Sequence, residues 1–167
     1  MSNQLLRDQE SQAGKRGAVD AWVRLLRGHA GMRRTVTAQL QADHGLTVNE
    51  YEAMLLLSHA PDGRLRRVDL ADSLQLTPSG VTRMLDGLRE RALVDKAECP
   101  GDARVTYAVL TDAGAAKLRE ASCSHIAAVG ALFEERYSKP EIETLAELLG
   151  RLPGAGGESS CTPCPSG

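Results

Sequence analysis

The feature that most constrains this chain is a pair of short amphipathic segments followed at once by two extended ones. A helix is predicted from about Val68 to Leu74, and a second begins at Thr77-Pro78, an N-cap followed by proline at the first helical position. Two extended segments, Leu93–Glu98 and Arg104–Leu110, flank the turn-rich loop Cys99-Pro100-Gly101-Asp102-Ala103. The order predicts a helix-turn-helix unit with a β-hairpin directly after its second helix.

The second helix of this unit has an apolar and a polar side. Hydrophobic residues recur at helical spacing along one side, at positions 81, 84, 85 and 88. The opposite side carries short hydrogen-bonding side chains and one arginine, namely Ser79, Thr82, Arg83 and Asp86. Such a face suits the major groove of DNA, where Arg reads guanine O6 and N7 and small hydroxyl residues let the backbone approach phosphates. The candidate DNA contacts are therefore Thr77, Pro78, Ser79, Thr82 and Arg83, although the helix by itself also fits an ordinary solvent-exposed face.

The hairpin predicts a wing. Val105, Tyr107 and Val109 alternate with Thr106 and Ala108, as a strand that packs on one face requires. Near the tip, Arg104 is placed to enter a narrowed minor groove, and Asp102 is placed to orient its guanidinium by charge-assisted hydrogen bonds. The wing is therefore predicted to read DNA shape more than base sequence.

Further helices are predicted on both sides of this unit. An apolar stripe runs from Ala18 to about Asp43 and ends at Gly45, and Thr47 opens a capping box at the start of the next helix. Beyond the hairpin, Thr111 and Ser138 are predicted to cap two more helices. The expected fold is mainly α with a small β-hairpin wing.

Composition agrees with this fold and gives no sign of a membrane protein. Aromatic residues make up only 3% of the chain, so the core must be built mainly from Leu, Val, Ala and Met on helix faces. The longest apolar stretch, Ile126–Phe133, is far too short to cross a bilayer, and a cytoplasmic location with no membrane partner is expected. The net charge of -2 hides an asymmetry, because cations concentrate between Lys15 and Arg34 while the C-terminal helices are acidic.

The chain offers little for catalysis, cofactors or metals. Its four cysteines are too few and too unevenly placed for the disulfide framework of a small secreted protein, so reduced thiols are expected at Cys99, Cys123, Cys161 and Cys164. One Cys-x-x-Cys pair in a tail lacks the second ligand pair of a zinc site. The four histidines stand singly, and no motif places a nucleophile beside a base. No enzyme, cofactor or metal site is predicted.

Two segments carry the most specific motifs of the chain. Asp102-Ala103-Arg104 is followed by Val109-Leu110-Thr111-Asp112-Ala113-Gly114, and Leu76–Leu85 leads into the second helix of the helix-turn-helix unit. The first segment resembles the wing signature of the MarR family of bacterial transcriptional regulators running into its fifth helix, and the second resembles that family's recognition helix. The resemblance covers roughly Ala18 to Leu152. It implies a homodimer of interlocked N- and C-terminal helices that presents two winged heads to a near-palindromic operator on double-stranded DNA.

On this resemblance the chain is a single domain with two extensions. It divides into a flexible N-terminal arm over 1–16, a winged helix domain over 17–152 and a disordered tail over 153–167. Within the domain, residues 46–111 form the DNA-reading head, and residues 17–45 and 112–152 form the dimerisation helices. The chain departs from the family pattern at Ala92, where glycine usually ends the recognition helix, and at Ala103, where a second basic wing residue is common.

The resemblance also implies a transcriptional regulator, expected to be a repressor, that a small anionic or phenolic effector releases from DNA. Trp22, His29, Arg33 and Tyr51 are candidates for an effector pocket because they mix aromatic surface with polar donors near the junction of the first two helices. Core and dimer packing is the alternative role of these four residues, and aromatic residues at helical spacing are more often structural.

Two other functions remain open at the level of sequence. Cys99 or the Cys161/Cys164 pair would serve a redox-responsive regulator, although the N-terminal sensing cysteine of some relatives is absent. A winged helix can also serve only as a protein-binding module. The salt dependence of binding distinguishes such a module from a DNA-binding protein, because the affinity for DNA phosphates falls steeply as the salt concentration rises.

Overall fold

The computed structural model describes the backbone of residues 2–99 and 102–155 and the side chains of residues 15–97 and 105–155. The regular elements in chain order are α1 (Ser2–His44), α2 (Val48–His59), β1 (Arg64–Arg66), α3 (Arg67–Ser73), α4 (Pro78–Glu90), β2 (Val94–Cys99), β3 (Asp102–Leu110), α5 (Asp112–Glu134) and α6 (Lys139–Gly150). Contacts divide the chain into two units, Met1–Thr35 and Val36–Gly167.

The N-terminal unit lies within α1. This helix begins at Ser2, so the predicted start near Ala18 is wrong, and the segment expected to be a flexible arm has a helical backbone. The physical reason is local, because the polar residues there include Gln, Arg and Glu, which have high helix propensity. Val19, Trp22 and Leu26 are exposed at three- and four-residue spacing and form an apolar stripe.

The second unit contains the predicted helix-turn-helix and hairpin, and both are confirmed. The sheet also has a third strand that the sequence did not predict, because β1 pairs antiparallel with β3 from Arg64↔Val109 to Arg66↔Tyr107. The strand order is β1-β3-β2. A three-residue strand is too short to display alternation, and its pairing partner lies more than forty positions away in the chain.

The core of this unit gathers residues from the end of α1 and from α2, α3, α4, the hairpin and α5. Its largest fully buried side chains are Leu40, Leu46, Met54, Leu57, Leu70, Val81 and Leu88. Val81 and Leu88 are the buried residues of α4. Burial of this side fixes which face α4 turns away from the core.

The end of α4 is a Schellman motif built on an alanine. Ala92 has a φ of 57°, its N–H donates to the Arg89 carbonyl at 2.8 Å, and the Leu93 N–H donates to the Leu88 carbonyl at 3.0 Å. An L-residue in this left-handed region is disfavoured by roughly 1–2 kcal/mol. The departure from glycine at Ala92 therefore falls at a position where the backbone needs a positive φ.

Thr111 fixes the hairpin to the helices on either side of it. Its hydroxyl donates to the carbonyls of Ala92 at 2.8 Å and Leu93 at 3.0 Å, and it accepts from the Gly114 N–H at 2.9 Å. One predicted cap thus joins the end of α4, the start of β2 and the start of α5. The hairpin is consequently held in a fixed position beside α4.

Cys123 on α5 is disulfide-bonded, so the expectation of reduced thiols is wrong there. Sequence spacing does not show which cysteines a fold brings together. The Cys99 side chain and the Cys161/Cys164 pair lie outside the described residues, as does the predicted tail beyond Ala155.

Neither a membrane span nor a metal cluster is found in the part of the chain that the structure describes. No helix there combines the length and the apolar character that crossing a bilayer requires. No group of three or more His, Cys, Asp or Glu residues there could hold a metal ion.

Candidate nucleic-acid interface

The N-terminal half of α4 is exposed and is capped by its own sequence. The Thr77 hydroxyl accepts a hydrogen bond from the Gly80 N–H at 3.1 Å, and Pro78 occupies the first turn. Ser79 and Arg83 are both exposed, and their spacing of four residues places them on one face of the helix. This face of α4 is therefore accessible to solvent.

Thr82 lies at a different edge of α4, the one that faces the hairpin. It is half-buried, its hydroxyl donates to the Pro78 carbonyl at 2.8 Å, and it lines a groove between α4 and the hairpin. The sequence had grouped it with Ser79 and Arg83 because all three are polar and lie away from the apolar stripe. Residue spacing on a helix does not reveal that a strand packs beside one edge of the polar face.

The structure describes the backbone of the wing residues Asp102 and Arg104. Asp102 begins β3 and pairs with Cys99 across the hairpin, at an irregularity in the register that follows Glu98. Arg104 follows on the same strand. The side chains of Asp102 and Arg104 lie outside the described residues, so their predicted ion pair remains a prediction.

A groove lies beside α4, between this helix and the hairpin. It encloses about 150 Å³. The residues that line it are Arg67, Thr82, Leu85, Asp86, Arg89, Val94, Asp95, Lys96, Thr106, Tyr107 and Ala108. Arg67, Arg89 and Lys96 could not be predicted from the sequence, because they come from three different elements and form no motif in the chain.

A run of arginines leads into this groove. Arg66 donates to Asp69 from Nε and from Nη2, each at 2.7 Å, and these hydrogen bonds hold the pKa of Asp69 below its ordinary value. Arg64 lies with Cζ 5.6 Å from the centre of the Tyr107 ring. Arg64 and Arg66 therefore have close intramolecular partners, while Arg67 reaches the groove.

Comparison with known proteins identifies the family. Residues 44–105 match the family model described as MarR family. AbsC, a MarR family transcriptional regulator from Streptomyces coelicolor, is 30% identical with a TM-score of 0.63, and the match covers 75% of this chain and 86% of AbsC. The chain belongs to the MarR family.

Two further relatives of this MarR protein support the assignment. Sco3205, a MarR family transcriptional regulator from Streptomyces coelicolor solved in complex with DNA, is 27% identical with a TM-score of 0.69, and the match covers 77% of this chain and 80% of Sco3205. The HTH-type transcriptional repressor YetL of Bacillus subtilis (strain 168) is 31% identical over 111 residues, which is 66% of each protein. The predicted winged helix-turn-helix fold is confirmed.

The candidate effector residues of this MarR protein fall in both units of the chain. Trp22 and His29 are exposed and Arg33 is half-buried, all within the first unit. Tyr51 belongs to the second unit, where it is 3% exposed. The structure gives the position of each residue within its own unit. An effector pocket formed by all four residues remains a prediction.

Tyr51 sits in a polar cluster that the sequence did not reveal. Its hydroxyl lies 3.2 Å from the Ser122 Oγ, and its ring centre lies 4.4 Å from that of His125. Burial lowers the pKa of His125, and the charge of Glu52 opposes that shift. Tyr51 and Ser122 are 71 positions apart in the chain, so no local pattern could predict their contact.

Proposed function

We propose that this MarR protein is a transcriptional repressor that binds a near-palindromic operator on double-stranded DNA as a homodimer. The observation that supports it best is the exposed Ser79/Arg83 face of α4 beside a hairpin that Thr111 holds in place. In this arrangement α4 enters the major groove and the hairpin reaches the adjacent minor groove. The DNA-bound structure of the relative Sco3205 agrees with such a role.

The proposed contacts follow from side-chain chemistry. Arg83 is the base-reading residue, because an exposed guanidinium can donate to guanine O6 and N7 together. Thr77, Pro78 and Ser79 stand at the N-terminus of α4, which favours a phosphate. Arg104, supported by Asp102, is the minor-groove residue. Thr82 approaches DNA only at the edge of α4 that faces the hairpin.

The homodimer is proposed from exposed apolar surface. Large apolar side chains are exposed on α1 and α6 and in the residues that flank α6, namely Val19, Trp22, Leu26, Met32, Tyr137, Leu148 and Leu152. Their removal from water by a second copy of the chain would stabilise an isologous interface. Sedimentation equilibrium of the full chain tests this, and a monomer at all concentrations would contradict it.

We further propose that the protein acts in the cytoplasm without catalysis, and that a small anionic or phenolic effector releases it from DNA. Trp22, His29, Arg33 and Tyr51 are the candidate effector contacts. The buried Tyr51 hydroxyl already has Ser122 as a neighbour, so an effector must share or replace that contact. Release from DNA by a small phenolic acid such as hydroxybenzoate, absent in a Tyr51→Phe variant, would support the site.

A gel-shift titration tests the central proposal. The purified full chain is titrated against the DNA that flanks its own gene, with a scrambled duplex as competitor and salt as the variable. Specific binding that falls with salt, by a log-log slope of about 0.9 for each phosphate contacted, is expected. A flat salt response or no preference over the scrambled duplex would contradict it and favour a protein-binding module.

A further inference from the structure

We propose that Arg91 is a positioning residue, which fixes the orientation of α4 and so sets where Arg83 stands on DNA. This inference rests on the proposed function and deepens it, because it assigns sequence preference to a residue that does not itself touch DNA. Arg91 is the C-cap of α4. It therefore lies at the opposite end of the helix from the cap that Thr77 provides.

The guanidinium of Arg91 joins the end of α4 to the turn between α1 and α2. Its Nε donates to the Gly87 carbonyl in the last turn of α4 at 3.1 Å, and its Nη1 donates to the Gly45 carbonyl just beyond α1 at 2.8 Å. Its Nη2 pairs with the Glu50 carboxylate on α2. Each guanidinium nitrogen thus has an acceptor within the protein, in a planar fork that an ammonium group cannot reproduce.

The turn between α1 and α2 is a fixed anchor for this side chain. The Glu50 carboxylate also accepts from the Thr47 N–H at 2.7 Å, as part of the capping box of α2. In the same turn, the His44 Nε2 lies 2.6 Å from the Ser124 Oγ on α5, and the His44 side chain is only 8% exposed. One arginine therefore ties α4 to a turn that both α2 and α5 hold in place.

The backbone that follows Arg91 increases the need for this anchor. Ala92 has a φ of 57°, a conformation that any residue with a β-carbon disfavours. The helix stop is thus weaker than one built on glycine. The side-chain contacts of Arg91 stabilise the end of α4 at the position where its backbone is strained.

The length of α4 converts a small tilt at this end into a misplaced base contact. A helix rises about 1.5 Å per residue, so Arg83 lies about 12 Å along α4 from Arg91. A tilt of about 5° would move Arg83 by about 1 Å, which is enough to break a hydrogen bond to a base edge. Phosphate contacts carry no sequence information and depend less on this geometry. Loss of Arg91 should therefore reduce sequence preference more than general affinity for DNA.

The test measures fluorescence anisotropy of the full chain with two labelled duplexes over a salt series. One duplex is the DNA that flanks its own gene, and the other is a scrambled duplex of the same composition. Arg91→Gln should lower affinity for the flanking duplex about tenfold and change affinity for the scrambled one by less than about twofold, with an unchanged salt slope. Arg119→Gln, which removes an exposed cation on α5, is the matched control and should change none of these quantities.

Two further variants identify the contact responsible. Glu50→Gln keeps a side chain that can cap α2 but removes the charge that pairs with Arg91. It should lower sequence preference in the same direction, and the double variant should lose little more than Arg91→Gln alone. Arg91→Lys should retain only part of the preference. Fully additive losses from Glu50→Gln and Arg91→Gln would show that the two residues act independently and would overturn the proposal.

The outcomes separate this inference from a purely structural role and from the proposed function. A role in stability alone predicts a lower free energy of unfolding with both affinities unchanged, and a direct phosphate contact predicts losses on both duplexes and a salt slope smaller by about 0.9. Either result overturns the inference while the regulator proposal stands. No preference by the unmodified protein overturns both. Circular dichroism verifies folding, and if Arg91→Gln does not fold, Arg91→Lys and Glu50→Gln decide by the same comparison.

Discussion

The carbonyl oxygen of Leu93 lies so close to Gly114 that a β-carbon added to this glycine would stand 2.0 Å from it. The same added carbon would lie 2.8 Å from Cδ1 of Leu110. Backbone therefore blocks any side chain at the point where α5 begins against the hairpin. Glycine at this position allows the wing and α5 to pack in their observed contact.

We expect Gly114→Ala to destabilise the protein by about 3 kcal/mol, because the nearest obstacle is backbone and cannot move aside as a side chain would. Urea unfolding at fixed protein concentration measures the change in the free energy of unfolding. Gly87→Ala in α4 is the control, since an added β-carbon there meets nothing within 4 Å. That control should be stabilised by up to about 1 kcal/mol, and equal effects of the two substitutions would contradict the packing argument.

Ala92→Gly should stabilise the protein by about 0.5 to 1 kcal/mol. The substitution relieves the left-handed strain at φ 57°, and the greater freedom of glycine in the unfolded chain offsets part of that gain. Thermal unfolding compares it with Ala116→Gly within α5, where the same chemical change should cost about 1 kcal/mol. Destabilisation by both substitutions would show that the strain is negligible.

Arg83→Ala and Arg104→Ala should have different effects on DNA binding. Loss of Arg83 should relax base preference and cost about 1 to 3 kcal/mol on the cognate operator, with a smaller loss on scrambled DNA. Loss of Arg104 should weaken binding across operator variants by a similar factor, because this arginine is proposed to enter the minor groove and to read no base edge. Binding isotherms on the two duplexes measure this, and an equal loss for Arg83→Ala on both would remove its assigned role.

The pKa of His125 gives a pH dependence with a definite sign. Burial lowers this pKa from its ordinary value of 6.5, so the unfolded chain binds the proton more readily than the folded one. His125 therefore disfavours folding as pH falls below 6.5, and its unfavourable contribution is absent above that value. Unfolding measured from neutral to mildly acidic pH should show stability falling in this window.

His125→Gln should flatten that dependence, while His59→Gln at an exposed position should leave it unchanged. The comparison isolates His125 from the carboxyl groups that titrate at lower pH. A profile that is the same in the two variants would mean that other groups cause the pH dependence.

Short-range patterns in the chain are enough to predict the elements whose signals are local. The Thr47 and Glu50 capping box forms as predicted, with the Glu50 carboxylate 2.7 Å from the Thr47 N–H. The same holds for the caps at Thr77 and Thr111. Each cap joins residues three positions apart, so the chain needs no distant partner to specify it. The hairpin is likewise local, since its two strands are joined by a short loop.

Contacts between residues far apart in the chain could not be predicted in this way, because they depend on how the elements pack. Arg91 donates to the Gly45 carbonyl at 2.8 Å and pairs with Glu50, forty-one positions away. The groove cations and the contact between Tyr51 and His125 arise in the same way. Periodicity shows which side of a helix is apolar, but only packing shows what lies beside its polar edge. Thr82 is the clearest case. Its polarity predicted a position on the DNA-facing side of α4, but the hairpin packs beside it, so Thr82 lines the groove between the two elements.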